Sequence, residues 1–472
     1  MRQISSIIFV IFGLFGHHAN ACSSIVLKND NSVFLAKNFD WTYGDGLLIK
    51  NVRGIHKTAF YTSAGTPVSW VSKYGSVTFN QNGKEMPYGG MNEQGLAIEM
   101  LWLDYTEYYN APAIPYINEL EWIQYQLDNY ATVEQVVANM HTLSIRPFKG
   151  KIHFIVADAG GNSTVIEHIG GKIIVEKKQA GQCQAITNYD LTTSANWHAN
   201  KTNAGQGNVA HALFRYTRLQ SGIDQNQFAT DLSEKTAFNM LDDVTIKKGH
   251  FKTYWTIVYD LKKQVIHFKS SDAKNVKHLA LHDLDFLATT QYIDINLKKG
   301  GDATALFGTY TEEINTALIT NSLKKLGLEQ LDFAAVSKHQ MQFLSGPENS
   351  YTRHYAALKI AVTTDDSTKL GRLGIVIVEN EENLKNFKPF RDGMHEILLT
   401  GTSYSWMYYG LPQGSYAIAA ARDANNNRRP DFEQEKYAFS RGARVVEGNM
   451  PSFDAAKIDL TEGVTEIRLV LK

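Results

Sequence analysis

The sequence predicts an α+β protein in which two sheets are sandwiched between helical layers, followed by a smaller all-β sandwich. Three observations lead there. Short β-branched runs are interrupted by pairs of helical segments through residues 23–269. Beyond about residue 300 the texture changes, and from roughly Tyr355 it is strand-like again. The chain of 472 residues is also too long for one ordinary domain and comfortable for two.

In chain order, Arg2 precedes an apolar run, Ile7 to Phe15, which is too short to span a bilayer. His17 and His18 follow, then Ala19-Asn20-Ala21. That order reads as a secretory signal over residues 1–21 with an A-x-A cleavage site, leaving Cys22 as the first residue. Ser23 to Leu27 and Val33 to Lys37 read as a hairpin around Lys28-Asn29-Asp30-Asn31-Ser32. Met91 to Gly95 is a turn leading into a buried strand, Leu96 to Leu103. Helical spacing covers Asn118 to Tyr130 and Val133 to Leu143, with Thr132 and Gln135 placed as a capping box for the second. Lys151 to Ala157, Ser163 to His168 and Lys172 to Glu176 form a meander with Gly-Gly corners. Asn208 to Leu219 and Ser233 to Leu241 are again helical, and Tyr254 to Leu261 with Val265 to Lys269 make a further hairpin. These elements give a first domain at 22–300. A helical linker at 301–345 is expected to contain a helix from Glu312 to Leu326. A β-sandwich at 346–472 is expected to include strands Ala357 to Val362, Leu373 to Val378 and Tyr416 to Ala421.

Composition narrows the partners. With 43% hydrophobic and 20% charged residues the protein is of the soluble globular type. A net charge of -1 supplies no field for nucleic acid or anionic membrane. No apolar stretch after residue 21 is long enough for a transmembrane helix. A small molecule is the partner these features favour, and a homo-oligomer is compatible with them. No cofactor or metal is expected. Asp423, Asn425, Asn427 and Asp431 have the 1, 3, 5, 9 spacing of a calcium loop. However, Arg428 stands where such a loop needs Gly, and no Glu occupies position 12, so a hydrogen-bonded turn is the better reading.

Two cysteines occur, Cys22 and Cys183, and a disulfide between them would be ordinary in an exported protein. It would consume the residue that the cleavage site exposes. Lipidation of Cys22 is the other reading, but Ala19 and Asn20 fit poorly the large aliphatic and small residues that lipoprotein processing prefers. A cysteine at a mature N-terminus carries a nucleophilic thiol and, in its own α-amine of pKa about 7.7 to 8.0, a base. Such a site needs an acid to orient it and donors for an oxyanion. Asp40 ends the returning strand of the first hairpin, beside Cys22, although a lone Asp there could equally cap a turn.

Cys22-Ser23-Ser24, Lys37-Asn38-Phe39-Asp40-Trp41, Met91 to Leu96, Thr187-Asn188, Arg215-Tyr216-Thr217-Arg218 and Trp255 to Leu261 occur as an ordered set. In order and spacing the set resembles the choloylglycine hydrolase family, which contains penicillin V acylases and conjugated bile salt hydrolases. The resemblance covers about residues 22–275. It implies a four-layer αββα N-terminal-nucleophile fold and hydrolysis of linear amides through an acyl-enzyme. It further implies Cys22 as nucleophile, Asp40 holding the amine, Asn188 as an oxyanion donor and Arg215 favouring the thiolate, with Arg218 the alternative. Lys37 stands where the family commonly has Arg, and Lys lacks the planar fork. Trp102 falls where some members place an asparagine or tyrosine. Trp41 and Trp102 would form an aromatic wall for a fatty acyl or phenoxyacetyl group, unless they only fill the core.

The expectation is therefore a periplasmic or secreted cysteine amidohydrolase acting on N-acyl amides of the penicillin V or acyl-homoserine-lactone type. A conjugated bile salt hydrolase is the alternative within the class. An idle envelope lipoprotein anchored through Cys22 is the alternative outside it.

Overall fold

A computed structural model of the chain describes residues 22–60, 67–111, 114–148, 150–178, 182–200, 211–225, 231–327, 334–341, 343, 355–365, 372–390, 394–398, 402–424, 431–461 and 463–472. The expected signal segment, and Asn425 and Asn427 of the calcium-like spacing, lie outside the described residues. The chain divides into two compact units, Met1–Gly346 and Pro347–Lys472.

Two sheets face each other in the first unit. The seven-stranded sheet runs Gln184–Ile186, Ser23–Lys28, Val33–Trp41, Lys252–Asp260, Val265–Ser270, Lys277–Ala280 and Gly301–Asp302. The nine-stranded sheet runs Lys172–Lys178, Ser163–Ile169, Ile152–Ala157, Ala97–Trp102, Pro87–Asn92, Ser76–Asn80, Leu47–Asn51, Gln291–Asp294 and Gly308–Thr309. Helices Ala212–Asp224 and Glu234–Asp242 cover the outer face of the first sheet, and helix Glu119–Asn129 covers the second. The result is four layers, helix, sheet, sheet, helix. A strand with a helix on one side and a sheet on the other has no wet face, so its sequence loses the polar alternation of a half-exposed strand. Val33–Trp41 is buried along all but its last residue. Its Phe39 stacks on Trp255 with ring centroids 4.3 Å apart. Between the sheets, Phe79 meets Tyr259 edge-on at 6.2 Å.

The expected hairpins and meander are present, with Gly95 at φ 78° closing the turn before Ala97–Trp102. The helix expected from Val133 ends as a 3-10 turn at Met140–Thr142. Strands Leu47–Asn51, Ser76–Asn80 and Pro87–Asn92, three of the second sheet's seven interior strands, were not anticipated from the sequence. Their runs are broken by Asn51, Asn80 and the Gly89-Gly90 pair, which mask the β pattern.

Helices Glu312–Lys325 and Ala334–Met341, expected in a linker, cluster with the first unit. They are held by polar anchors more than by an apolar stripe. Buried Asn315 accepts the Lys84 backbone N–H at 2.9 Å, and Gln340 Nε2 donates to the Asn82 carbonyl at 3.0 Å. Just beyond that loop, Lys57 Nζ lies between Glu85 at 2.7 Å and Asp128 at 2.9 Å, with Lys84 pairing Glu85 as well. All four are buried, so each charge depends on its neighbours rather than on water.

In the second unit, Ser403–Pro412, Tyr355–Thr364 and Gly463–Leu471 form one sheet. Met394–Leu398, Arg372–Val378, Gly414–Asp423 and Tyr437–Phe439 form the other, with Ile458–Leu460 paired to Gly414–Asp423. Leu358 and Ile360 of the first pack with Leu373, Ile375 and Ile418 of the second, which makes a sandwich.

Candidate active site

Cys22 precedes strand Ser23–Lys28, an interior strand with neighbours on both sides. A residue at the end of such a strand is held by backbone ladders that cannot slide without unpairing the sheet. The thiol is buried and donates to the Asp40 carbonyl at 3.7 Å. Its backbone N–H donates to Asn188 Oδ1 at 2.8 Å. Burial is the main cause that raises the thiol to about 11, against which Lys37 and Arg215 act to lower it. No histidine hydrogen-bonds this thiol among the described residues.

Asp40 comes from the far end of the neighbouring strand Val33–Trp41. Burial raises its carboxyl to about 7, partly offset by Arg215, Thr253 and Lys37. Thr253 was not singled out in the sequence. Its hydroxyl accepts the Ile246 N–H at 3.0 Å and donates its single proton to Asp40 Oδ1, while buried Oδ2 has no hydrogen-bond partner. The register shift between Thr253 and Trp255 is what aims that hydroxyl at the neighbouring strand. A bond to the ionised carboxylate favours it, so losing the bond raises the pKa. Thr253→Val therefore moves the acid limb of the kcat/KM profile to higher pH, and Thr253→Ser leaves it in place; pH-rate profiles of the two variants check this. The charged or titratable groups around Asp40 in that comparison are Cys22, Lys37 and Arg215.

Asn188 lies in the turn between strand Gln184–Ile186 and helix Leu191–Ala199. Its amide orientation is set by three partners. Oδ1 accepts from Cys22 and from Arg215 Nη2 at 2.9 Å, and Nδ2 donates to the Trp102 carbonyl at 2.9 Å. The second Nδ2 hydrogen has no partner among the described residues. The turn is braced from below by buried His153, whose ring reaches Glu167 at 3.0 Å and the Thr187 carbonyl at 2.8 Å.

Arg215, on helix Ala212–Asp224, is buried beneath these groups and donates to the Cys22 carbonyl, to Ser23 Oγ at 2.7 Å and to Asn188. Arg218, three residues on, is exposed. Lys37 is buried between the sheets and pairs with Glu99 at 2.7 Å, and Tyr259 donates to the same carboxylate at 2.6 Å. Burial raises the Glu99 carboxyl, opposed by Lys37 and Tyr259. Gly89 faces Glu99 across the ladder, and a Cβ there would sit 2.1 Å from its carboxylate, so only glycine admits the pair. Glu99 and Tyr259 both lie within segments read from the sequence as apolar strand, which hid their polar role.

A pocket opens from Cys22. Phe39, Trp41, Tyr88, Met100, Trp102, Leu120 and Ile152 form its apolar wall, with Asp40, Asn82, Glu119 and Gly150 among them. Both tryptophans suggested by the sequence border it. Among the described residues no group of His, Cys, Asp and Glu could hold a metal ion, and both cysteines are free. No helix of the described residues is long and apolar enough to cross a membrane.

Residues 22–212 match the family of linear amide C-N hydrolases, choloylglycine hydrolase family. Residues 363–468 match an uncharacterized protein family conserved in bacteria. The chain is 26% identical over 262 residues to a penicillin V acylase of Pectobacterium atrosepticum, covering 46% of this chain and 69% of that protein. Among solved structures, penicillin V acylase from Agrobacterium tumefaciens superposes with a TM-score of 0.54 at 25% identity, over 61% of this chain and 98% of that one. A mutant of the conjugated bile acid hydrolase from Clostridium perfringens gives a TM-score of 0.48 at 16% identity, over 61% and 96%. With residues 22–212 matching the choloylglycine hydrolase family and a four-layer N-terminal-nucleophile hydrolase fold like that of penicillin V acylase, the protein is an amidohydrolase acting on linear amide C–N bonds.

Proposed function

We propose that the protein is exported, that removal of residues 1–21 frees the α-amine of Cys22, and that Cys22 then hydrolyses N-acyl amides with an apolar acyl group through an acyl-enzyme. The observation that carries this reading is a buried thiol, raised to about 11, with an acid and a cation around it and no histidine bonded to it. At neutral pH such a thiol is neutral, so its proton needs an acceptor at contact range, and the residue's own amine is that acceptor. Asp40 Oδ2 and Asn188 Oδ1 are the acceptors that orient the amine. The free hydrogen of Asn188 Nδ2 receives the oxyanion, Arg215 fixes the first residues of the strand and supplies positive charge, and the amine returns its proton to the leaving nitrogen. Water then releases the acid.

The apolar pocket favours acyl groups such as those of penicillin V or N-acyl-homoserine lactones. Protein beginning at Cys22, assayed on penicillin V, N-acyl-homoserine lactones and glycocholate, is expected to cleave a member of the first two classes, and acid-quenched samples to carry the acyl mass on Cys22. Absence of turnover on every amide, or a quenched enzyme acylated elsewhere, would overturn the mechanism. Trp41→Ala and Trp102→Ala each remove a large aromatic face from the pocket. An expected rise in KM of roughly 10- to 100-fold, with a smaller change in kcat, follows from the burial such a ring provides. Steady-state kinetics on the preferred substrate check it.

A further inference from the structure

We infer that Asn82 is a specificity-determining residue of the pocket, set by the helix Glu312–Lys325, and that it selects acyl groups carrying an acceptor oxygen such as an ether or ketone. This rests on the reading that the pocket beside Cys22 receives the acyl group.

Asn82 borders the pocket and is the only carboxamide side chain among its lining residues. Its side-chain partners are Tyr88, reached from Nδ2 at 3.0 Å, and Ser322, whose hydroxyl reaches Oδ1 at 3.1 Å. Whichever way round the amide sits, its NH2 carries two hydrogens and these partners take one. One N–H of this half-buried amide is therefore left over in a largely apolar wall. A ligand that brings an acceptor satisfies it, whereas a ligand with a methylene at the same place leaves a desolvated N–H behind.

The position of that donor is built, not incidental. Ser322 Oγ is 2.6 Å from Tyr43 Oη, and its own proton can be given only once, so Tyr43, Ser322, Asn82 and Tyr88 form one chain of hydrogen bonds. The Asn82 backbone is fixed separately by Gln340, whose Oε1 accepts from Asn315 Nδ2 at 2.9 Å. Ser322, Asn315 and Gln340 all lie beyond residue 212, outside the part of the chain that matches the hydrolase family. The helical segment 312–341 thus holds the pocket residue Asn82 from outside the part of the chain that matches the family.

The test measures binding, which does not depend on the chemistry at Cys22. Full-length protein is titrated calorimetrically with phenoxyacetate and with 3-phenylpropanoate, which differ by one ether oxygen in place of a methylene. Wild type is expected to bind phenoxyacetate up to about tenfold more tightly, what one hydrogen bond to a half-buried donor contributes. Asn82→Leu is expected to bring the ratio near one, and Ser322→Ala to place it between. The Ser322 variant stands in should Asn82→Leu fail to fold. A wild-type ratio near one, a ratio unchanged in the variants, or no binding of either acid would overturn the inference. Loss of the hydrolytic reading would show instead as missing turnover with this ratio intact.

Discussion

Replacing Cys22 by serine, in protein whose chain begins at that residue, lowers kcat/KM by about 10,000-fold or more. The substitution removes one polarisable sulfur and leaves the backbone N–H to Asn188, the Arg215 contacts and the pocket as they are. What changes is the proton. A thiol raised by burial to about 11 still gives up its proton more readily than a hydroxyl in the same place, which holds it several units more tightly. The amine then has to take a more tightly held proton, and the shorter C–O bond withdraws the nucleophile from the carbonyl. Progress curves for wild type and variant on one substrate decide the matter. A serine variant with more than a few per cent of wild-type turnover would mean that bond breaking does not run through this side chain.

The second large effect falls on stability. Lys37→Met leaves Glu99 buried between the sheets with Tyr259 as its remaining side-chain partner. Breaking a buried pair from one side costs about 3–5 kcal/mol, because the remaining charge has neither water nor a counter-ion. Lys37→Met combined with Glu99→Gln keeps an acceptor for Tyr259 and removes both charges, so most of that loss is expected to return. Chemical denaturation of the wild type, both single variants and the double variant gives the coupling directly. The same set separates two roles for Lys37. If the double variant folds and still hydrolyses amides well, Lys37 is structural; if it folds and turns over poorly, the positive charge beneath Cys22 is what the reaction uses. An additive cycle, with no recovery in the double variant, would show that the pair is not coupled.

Much of the site could be read from the sequence because the family's short motifs fall on strand ends and a helix. Cys22, Asp40, Asn188 and Arg215 were named from such motifs, and the structure brings them into one hydrogen-bonded group. The choice between Arg215 and Arg218 was not legible as a string. It depends on helical phase, since positions three apart differ by 60° around the axis and here only the first faces inward. Glu99, Thr253 and Ser322 were missed for another reason. Each acts on a partner 62, 213 or 240 residues away, and nothing local marks a glutamate, threonine or serine for such a pairing. The segment 312–341 read as a linker because Asn315 and Ser322 occupy buried positions of its first helix, interrupting the apolar stripe that would have announced a packed face.

The sheet order carries a consequence for how activity is acquired. Cys22 meets Asp40 after 18 residues, but Asn188 lies 166 positions on, Arg215 lies 193 on, and Thr253 reaches back 213 positions to Asp40. Strand Val33–Trp41 cannot complete its pairing until Lys252–Asp260 has been made. Loops of that length close late, because their entropy is lost before the contacts that reward it are formed. Cys22 is therefore synthesised some 230 residues before Thr253, the last member of the group around it. A chain ending before that strand lacks both the partner of Val33–Trp41 and the Thr253 hydroxyl on Asp40, so the group around Cys22 is completed only late in synthesis.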